Sequence, residues 1–340
     1  MPEINNLLDE KYVLNFLRKK VLRFFPSFKD IQSVKIKAYK KFIWKTSYHV
    51  VLGFTVYFLD SKKNITKIPI FCSAHSHEAR KNFYQALKYL WDSGFANDNL
   101  TIPRPLFYSN QFRAVFYRGV SGENLYYYIR SNHREKINQI IPQVAKWFAK
   151  LHTLSIRPEC NFNRQNSRIV SVIPGRDHIL ETISKKYPKH FKIYEKAYNK
   201  FVQTEEDFLN SNKKRWLIHG DAHAENIVQI SNKKLAVIDY GDICLSDFAR
   251  DLGCFLQQTD YMCSRKIADQ NYTDKIKKIF LDTYFAKREI PEEKILKIKK
   301  RIDNYYYWTA MRTASFFLLK HQSEPERAKL LIQEVEKNYL

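Results

Sequence analysis

Glycine is scarce in this chain of 340 residues. The sequence contains 8 glycines, whereas an average usage of about 7% would give roughly 24. No segment matches the glycine-rich phosphate-binding patterns G-x-G-x-x-G or G-x-x-x-x-G-K-[ST]. The usual sequence signals of dinucleotide-binding folds and of P-loop NTPases are therefore absent.

Cysteine pairs and long apolar runs are also lacking. The 5 cysteines are odd in number and none stands in a C-x-x-C pair, which argues against a disulfide framework and against a cysteine-based zinc site. No stretch reaches about 18 uncharged apolar residues, and the N-terminal segment contains acids and no long apolar core. We therefore expect a cytoplasmic protein with neither a signal peptide nor a membrane span.

Positive charge is abundant. Lys and Arg number 58 against 35 Asp and Glu, a formal net charge of +23, and 44% of the residues are hydrophobic, enough to bury a core. Such a charge favours nucleic acid, an anionic membrane surface or anionic metabolites as partners, and does not choose among them. The residue mixture is also typical of an A/T-rich coding sequence, so the basicity can equally be compositional.

The hydrophobic periodicity changes along the chain. Helical spacing predicts a leading helix over 3–25, followed by segments of alternating apolar residues and one further helix. The predicted strands lie around 34–38, 48–58, 65–72, 104–108 and 113–117, and the predicted helix over 77–91. From residue 119 the spacing is mainly helical. We therefore predict an antiparallel sheet with one helix in the first 118 residues and helices in the rest.

A hairpin with acids at both ends interrupts the helical region. It begins with the segment HGDAHAEN at 219–226 and ends with IDYGD at 238–242. The two ends of a tight hairpin converge in space. A carboxylate, a carboxamide five residues later and a carboxylate after the next strand suit metal-assisted phosphoryl transfer, where one group accepts a hydroxyl proton and two oxygen ligands hold Mg²⁺.

The segments HGDAHAENIV and AVIDYGDICLSDFARDLG resemble the family that includes aminoglycoside and choline kinases, a branch of the protein-kinase-like fold. FYRGVSGENL at 116–125 is similar to the hinge strand of that family and the turn after it. The resemblance is clear over 113–256 and elsewhere limited to the architecture. It implies an α+β, bilobal fold with a small antiparallel-sheet N-lobe over 1–118, which binds the nucleotide, and a mainly helical C-lobe over 119–340.

Carried over by position, the resemblance makes Asp221 the catalytic carboxylate and makes Asn226 and Asp239 the ligands of magnesium. Four residues near the hairpin are expected to support them: His219, His223, Asp242 and Asp251.

Each supporting residue has its own expected role. His219 should hold the backbone of the loop, and His223 should either pack in the loop or contact the acceptor or a phosphate. Asp242 is either a contact of a second metal ion or an exposed turn acid. Asp251 should anchor the loop by accepting backbone N–H bonds.

The nucleotide, ATP or GTP, is expected at two places in the N-lobe. These are the hinge residues Phe116, Tyr117 and Arg118, and the turn between the first two strands, where Thr46 and Ser47 would contact phosphates.

The sequence departs from the family at the third strand. The lysine that pairs with the nucleotide phosphates would fall near Cys72 or Ser73 and is missing. His75, Arg80 and Lys81 follow this position and could supply a displaced positive charge.

These features predict a Mg²⁺-dependent phosphotransferase that moves the γ-phosphate of ATP or GTP to a hydroxyl of an unidentified small molecule. The missing lysine leaves a catalytically impaired nucleotide-binding scaffold as an alternative, and the charge leaves an anion-binding module for RNA or membrane. No specific nucleic acid partner is predicted and the oligomeric state is open.

Acceptor choice should depend on residues 155–214 and on the C-terminal helices. The segment 155–214 contains 12 Lys and Arg and 7 Asp and Glu. It lacks the acidic bias that a pocket for a polycationic aminoglycoside would need, so resistance to such drugs is not the preferred role.

Overall fold

The computed structural model describes residues 2–78, 80–96 and 98–340. The chain divides into two units, of which unit 1 comprises Met1–Gly122 and Val228–Gly241 and unit 2 comprises Glu123–Ile227 and Asp242–Leu340. The return of residues 228–241 to unit 1 was not expected from the sequence. The predicted boundary at residue 118 stays a prediction.

Unit 1 is built on an antiparallel sheet of five strands in the order β1-β2-β3-β6-β5. Apolar residues alternate along β2, and Val50, Leu52, Phe54, Val56 and Phe58 are all buried. Because alternate side chains of a strand lie on one face, this pattern places the core of unit 1 on one side of the sheet. The strands in the first 122 residues are β1 Phe28–Ile43, β2 Tyr48–Asp60, β3 Ile65–His75, β4 Leu100–Thr101, β5 Arg104–Ser109 and β6 Ala114–Arg118, and β4 lies outside the five-stranded sheet.

The leading helix is shorter than predicted, because Asp9 ends one helical segment and caps the next. Its side chain accepts a hydrogen bond from the Tyr12 N–H at 2.6 Å. Helix α1, Glu10–Lys20, buries Val13 and Leu17 in the core of the sheet. Short 3₁₀ segments flank α1 on both sides.

Unit 1 also contains helix α2, Lys81–Leu90, and the 228–241 segment. Gly94, with φ of +99°, interrupts the helical conformation of the short stretch Trp91–Phe95 that follows α2. Strands β9, Ile227–Gln229, and β10, Leu235–Val237, are adjacent, and β10 runs parallel to β4. The 228–241 segment is thereby held to the rest of unit 1.

Unit 2 is mainly helical, as predicted. Phe148 on α4, Phe255 on α7 and Phe280 on α8 contact one another in its core. The elements of unit 2 are β7 Glu123–Asn124, α3 Leu125–Arg130, α4 Arg134–Leu151, α5 Arg176–Lys186, α6 Pro188–Ser211, β8 Trp216–Ile218, β11 Cys244–Ser246, α7 Ala249–Lys266, α8 Gln270–Lys287, α9 Glu292–Leu319 and α10 Pro325–Asn338.

Two absences apply to the described part of the chain. No helix there combines the length and the apolar character needed to cross a bilayer. The cysteines there are all buried and unpaired.

Candidate active site

The loop at 219–226, called here the HGD loop, begins where β8 ends. β8 is fully buried and pairs antiparallel with β11, so the loop leaves a short two-stranded ladder. Asp251, in the first turn of α7, accepts the main-chain N–H of His219 at 2.7 Å and that of Gly220 at 2.9 Å. Both carboxylate oxygens of Asp251 are therefore bound to the start of the HGD loop.

A second group holds Asp251 from the opposite side. His152, at the end of α4, lies with Nε2 3.1 Å from Asp251 and Nδ1 2.8 Å from the Tyr284 hydroxyl. Burial raises the pKa of Asp251, but the hydrogen bonds from His152 and from the Gly220 N–H oppose it, and the pKa stays below its usual value. Burial lowers the pKa of His152. Asp251 is thus a buried carboxylate that is kept ionised by its donors.

Gly220 allows the loop to turn. Its φ of +83° lies in the left-handed region, and a Cβ there would stand 2.3 Å from the main-chain oxygen of Asp242. Asn166 donates to that same oxygen at 2.8 Å and accepts from Arg250. Neither residue was singled out from the sequence, because only the tertiary fold brings Asn166 beside Gly220 and Arg250 against Asn166.

Asp221, His223 and Asn226 come together within the HGD loop. His223 Nε2 lies 3.4 Å from the Asp221 carboxylate, and Asn226 Nδ2 donates to the Asp221 main-chain oxygen at 3.0 Å. Burial raises the pKa of Asp221, yet the hydrogen bond and charge of His223 dominate and lower the pKa to about 2. With its side chain 46% exposed, Asp221 presents an ionised carboxylate to solvent.

The other predicted acid, Asp239, lies in unit 1. It lies two residues beyond the end of β10 with φ of +66°, a conformation that Asp tolerates better than most residues. A Cβ placed on Gly241 would be 3.5 Å from Nη1 of Arg80 and 3.6 Å from Oδ1 of Asp239. The guanidinium of Arg80 therefore flanks the turn that carries Asp239.

No cation stands at Cys72 or Ser73, where the lysine of the family was expected. Cys72 is fully buried and Ser73 nearly so. Of the three displaced candidates, Lys81 is exposed, and His75 accepts the Glu78 N–H at 2.9 Å through Nδ1. Burial also lowers the pKa of His75, which leaves it neutral at physiological pH.

Arg80 is the third candidate and differs from the other two. Its side chain is 14% exposed, forms an ion pair with Glu78 at 3.1 Å, and has a buried Nε without an acceptor among the described residues. The Nη2 atom lies 3.5 Å from His49 Nε2. Burial, with Lys40 and Arg80 nearby, lowers the pKa of His49 to about 4. Arg80 is thus a largely buried, ion-paired cation beside the turn that carries Asp239.

The predicted nucleotide contacts have different exposures. In the turn between β1 and β2, the Trp44 N–H donates a hydrogen bond to the Ser47 main-chain oxygen at 2.8 Å. Thr46 is exposed in this turn and Ser47 is half-buried. The side chain of Phe116 is fully buried in the core of unit 1 and offers no surface to a ligand.

The two hinge residues after Phe116 are accessible. Tyr117 is half-buried and stacks on Phe71, while Arg118 is exposed. Burial, together with the charge of Asp239, raises the pKa of Tyr117. The hinge prediction therefore concerns the side chains of Tyr117 and Arg118, and only the main chain of Phe116.

Unit 2 contains a large cavity next to the HGD loop. Its volume is about 820 Å³, and its lining includes Asp221, Ala222 and His223 from the loop together with residues of α5, α7 and α9. A cavity of this size accommodates a small organic molecule. Because Asp221 lines it, a hydroxyl group bound there would meet an ionised carboxylate.

A family model described as the phosphotransferase enzyme family matches residues 52–288, more than half of the chain. No curated protein matches the sequence at a significant level.

Solved structures of three kinases resemble this chain. Spectinomycin phosphotransferase in complex with ADP and spectinomycin is 14% identical with a TM-score of 0.55, covering 96% of this chain and 94% of that one. An amicoumacin kinase in complex with AMP-PNP, Ca²⁺ and Ami is 12% identical with a TM-score of 0.58, covering 99% and 96%. An ethanolamine kinase of Plasmodium vivax is 11% identical with a TM-score of 0.55, covering 89% and 82%. The likeness confirms the predicted protein-kinase-like fold.

Proposed function

The chain belongs to the phosphotransferase enzyme family, and on this basis we propose that it transfers the terminal phosphate of ATP or GTP to a hydroxyl group of a small molecule, with Mg²⁺. The observation that carries the proposal is Asp221, an ionised carboxylate that lines a cavity of about 820 Å³. The nucleotide complexes of the similar spectinomycin and amicoumacin kinases support a nucleotide as phosphate donor.

Asp221 is the proposed catalytic residue. It accepts a hydrogen bond from the acceptor hydroxyl and takes its proton as the oxygen attacks phosphorus. A new O–P bond forms, the bond to the leaving diphosphate breaks, and its electron pair leaves with the diphosphate. His223 and Asn226 position the carboxylate, and Asp251 holds the loop from below. His219 holds the loop through its main-chain N–H, which binds Asp251, and through its Nδ1, which accepts the Asp221 main-chain N–H at 3.3 Å.

The proposed magnesium ligands are Asn226 and Asp239. Asn226 engages its Nδ2 with Asp221 and His223, while its Oδ1 accepts no hydrogen bond among the described residues. The Asp239 residue is exposed. An amide oxygen and a carboxylate are suitable ligands for Mg²⁺. No cluster of three or more His, Cys, Asp or Glu side chains suited to a metal occurs in the described ranges, so phosphate oxygens and water would complete the shell. The ion would neutralise charge on the phosphates.

Arg80 is the proposed substitute for the missing lysine. It is the one of the three candidates that combines restricted exposure, an ion-pair partner and proximity to the Asp239 turn. A planar guanidinium can bind two phosphate oxygens at once.

The test is a thermal-shift titration with ATP and with GTP, each with and without Mg²⁺, followed by turnover with acceptor. We expect nucleotide to stabilise the protein in a metal-dependent way. Asp239→Asn should lose that dependence. Asp221→Asn should keep nucleotide binding and lose roughly 10²- to 10⁴-fold in turnover. Asp282→Asn, which changes an exposed acid of α8, is the matched control.

Other outcomes identify the alternative functions. Metal-dependent nucleotide binding without phosphorylation of any acceptor would favour a scaffold, and undiminished turnover by Asp221→Asn would contradict the catalytic assignment. Salt-sensitive binding of arbitrary RNA, unchanged in both variants, would instead indicate an anion-binding module.

A further inference from the structure

The cavity beside Asp221 is lined by an excess of cations. Five basic side chains line it: Arg265, Lys266, Arg312, Lys320 and Arg327. Its lining acids are Asp221, Glu225 and Asp242. All three acids belong to the HGD loop or to the end of the Asp239 turn. The other charged lining residues are basic, a distribution that the residue count over 155–214 did not reveal.

The five cations are not equivalent. Lys320 and Arg327 both form ion pairs with Glu324. Among the described residues, Arg265, Lys266 and Arg312 have no carboxylate within salt-bridge distance. Arg265 and Lys266 are exposed at the end of α7, whereas Arg312 is partly buried within α9. Unpaired cations at the surface are common, but an unpaired guanidinium in a cavity wall is costly without an anion.

Arg312 lies on the side of the cavity where transfer would occur. Nη2 donates to the Ile173 main-chain oxygen at 3.1 Å, and the guanidinium carbon stands 4.9 Å from the centre of the Trp308 ring. Its charge lowers the pKa of Asp221. Burial and the neighbouring charge of Arg250 lower the pKa of Arg312 itself, so a bound anion would stabilise its charged form.

Two buried hydrogen-bond donors without an acceptor among the described residues also lie at Trp308. Arg250 lies against the same ring at 5.0 Å. Its Nε and the Trp308 Nε1 are both buried, and neither finds an acceptor within the described part of the chain. A second guanidinium and two buried donors without an acceptor therefore lie at the ring on which Arg312 rests.

We propose that the acceptor is an anionic alcohol, a small molecule that carries a phosphate or carboxylate group besides its reactive hydroxyl, and that Arg312 binds this anionic group. The inference rests on the proposed function, because it names the substrate class of the same site. Arg265 and Lys266 attract the anion towards the cavity, and Arg312 holds it while the hydroxyl faces Asp221.

The first test measures binding of inorganic phosphate by calorimetry to the parent protein, to Arg312→Gln and to the control Arg134→Gln. Arg134 is paired with Asp269 and does not line the cavity. We expect Arg312→Gln to weaken phosphate binding roughly 10- to 100-fold and Arg134→Gln to leave it unchanged. Equal phosphate affinity in all three proteins overturns the inference.

The second test separates a metabolite pool by ion exchange into anionic, neutral and cationic fractions before incubation with labelled ATP and Mg²⁺. The acceptor should be in the anionic fraction, and Arg312→Gln should raise its KM while the metal-dependent nucleotide shift stays. Phosphorylation confined to the cationic or neutral fraction refutes the anionic acceptor and leaves the proposed function intact. Absence of any nucleotide binding by the parent refutes the proposed function.

Discussion

Replacement of Asp251 by Asn tests whether one buried carboxylate holds the HGD loop. Asp251 Oδ2 accepts from His219 N–H at 2.7 Å and lies 3.1 Å from His152 Nε2, while Oδ1 accepts from Gly220 N–H at 2.9 Å. Asparagine has one accepting oxygen. Its NH₂ group must therefore face at least one N–H donor of the loop or of His152.

The cost follows from these contacts. Loss of a hydrogen bond to a charged group costs about 1.5–3 kcal/mol, and the buried donor left without an acceptor adds about 1–3 kcal/mol. The sum is about 2.5–6 kcal/mol. For a unit of this size it corresponds to a fall in Tm of roughly 10 °C. Turnover should fall as well, because the HGD loop loses its anchor.

The assay is thermal unfolding combined with turnover, and Asp247→Asn is the matched control. Asp247 is also fully buried and accepts from Arg301 Nε at 2.7 Å, but it makes no described contact with the HGD loop. We expect a similar loss of Tm in that variant, with kcat largely retained below its Tm. Unchanged Tm and kcat in Asp251→Asn would refute the anchoring role. Equal losses of kcat in both variants would attribute the effect to stability alone.

Three further outcomes are expected. Arg80→Gln should raise the KM for nucleotide about tenfold without lowering Tm, whereas Lys81→Gln, an exposed neighbour, should not. Burial lowers the pKa of His152, so on acidification the unfolded chain takes up a proton that the native state excludes. Tm should therefore fall as the pH is lowered from about 7 to about 5.5. A rise in Tm over this range would contradict the assignment. Gly253→Ala would place a Cβ 2.6 Å from a main-chain oxygen of α9 and should lower the free energy of unfolding, measured in urea, by about 1–3 kcal/mol. In the control Gly175→Ala the nearest atom is 3.5 Å away, so the free energy of unfolding should fall much less.

Features that depend on neighbours in sequence were predictable. The order of strands and helices follows from periods of two and of about 3.6 residues, which the backbone geometry imposes locally. Asp221, His223 and Asn226 share one loop, so their proximity follows from their spacing. The leading helix was predicted too long because Asp9 could act as an interior residue or as a cap, and the hydrogen bond to Tyr12 decides this.

Features that depend on distant residues were decided only by the tertiary structure. The role of Asn166 could not be predicted, because its contact with the Asp242 oxygen joins positions 76 residues apart. The position of Arg80 beside Gly241 likewise joins segments far apart in the chain. The charge of the cavity is the clearest case, since its basic lining residues are contributed by α7, α9 and the start of α10. Local periodicity can be read from consecutive residues of the sequence. The electrostatic potential of a cavity is the sum over all charges near it in space, and only the folded structure determines which charges are near.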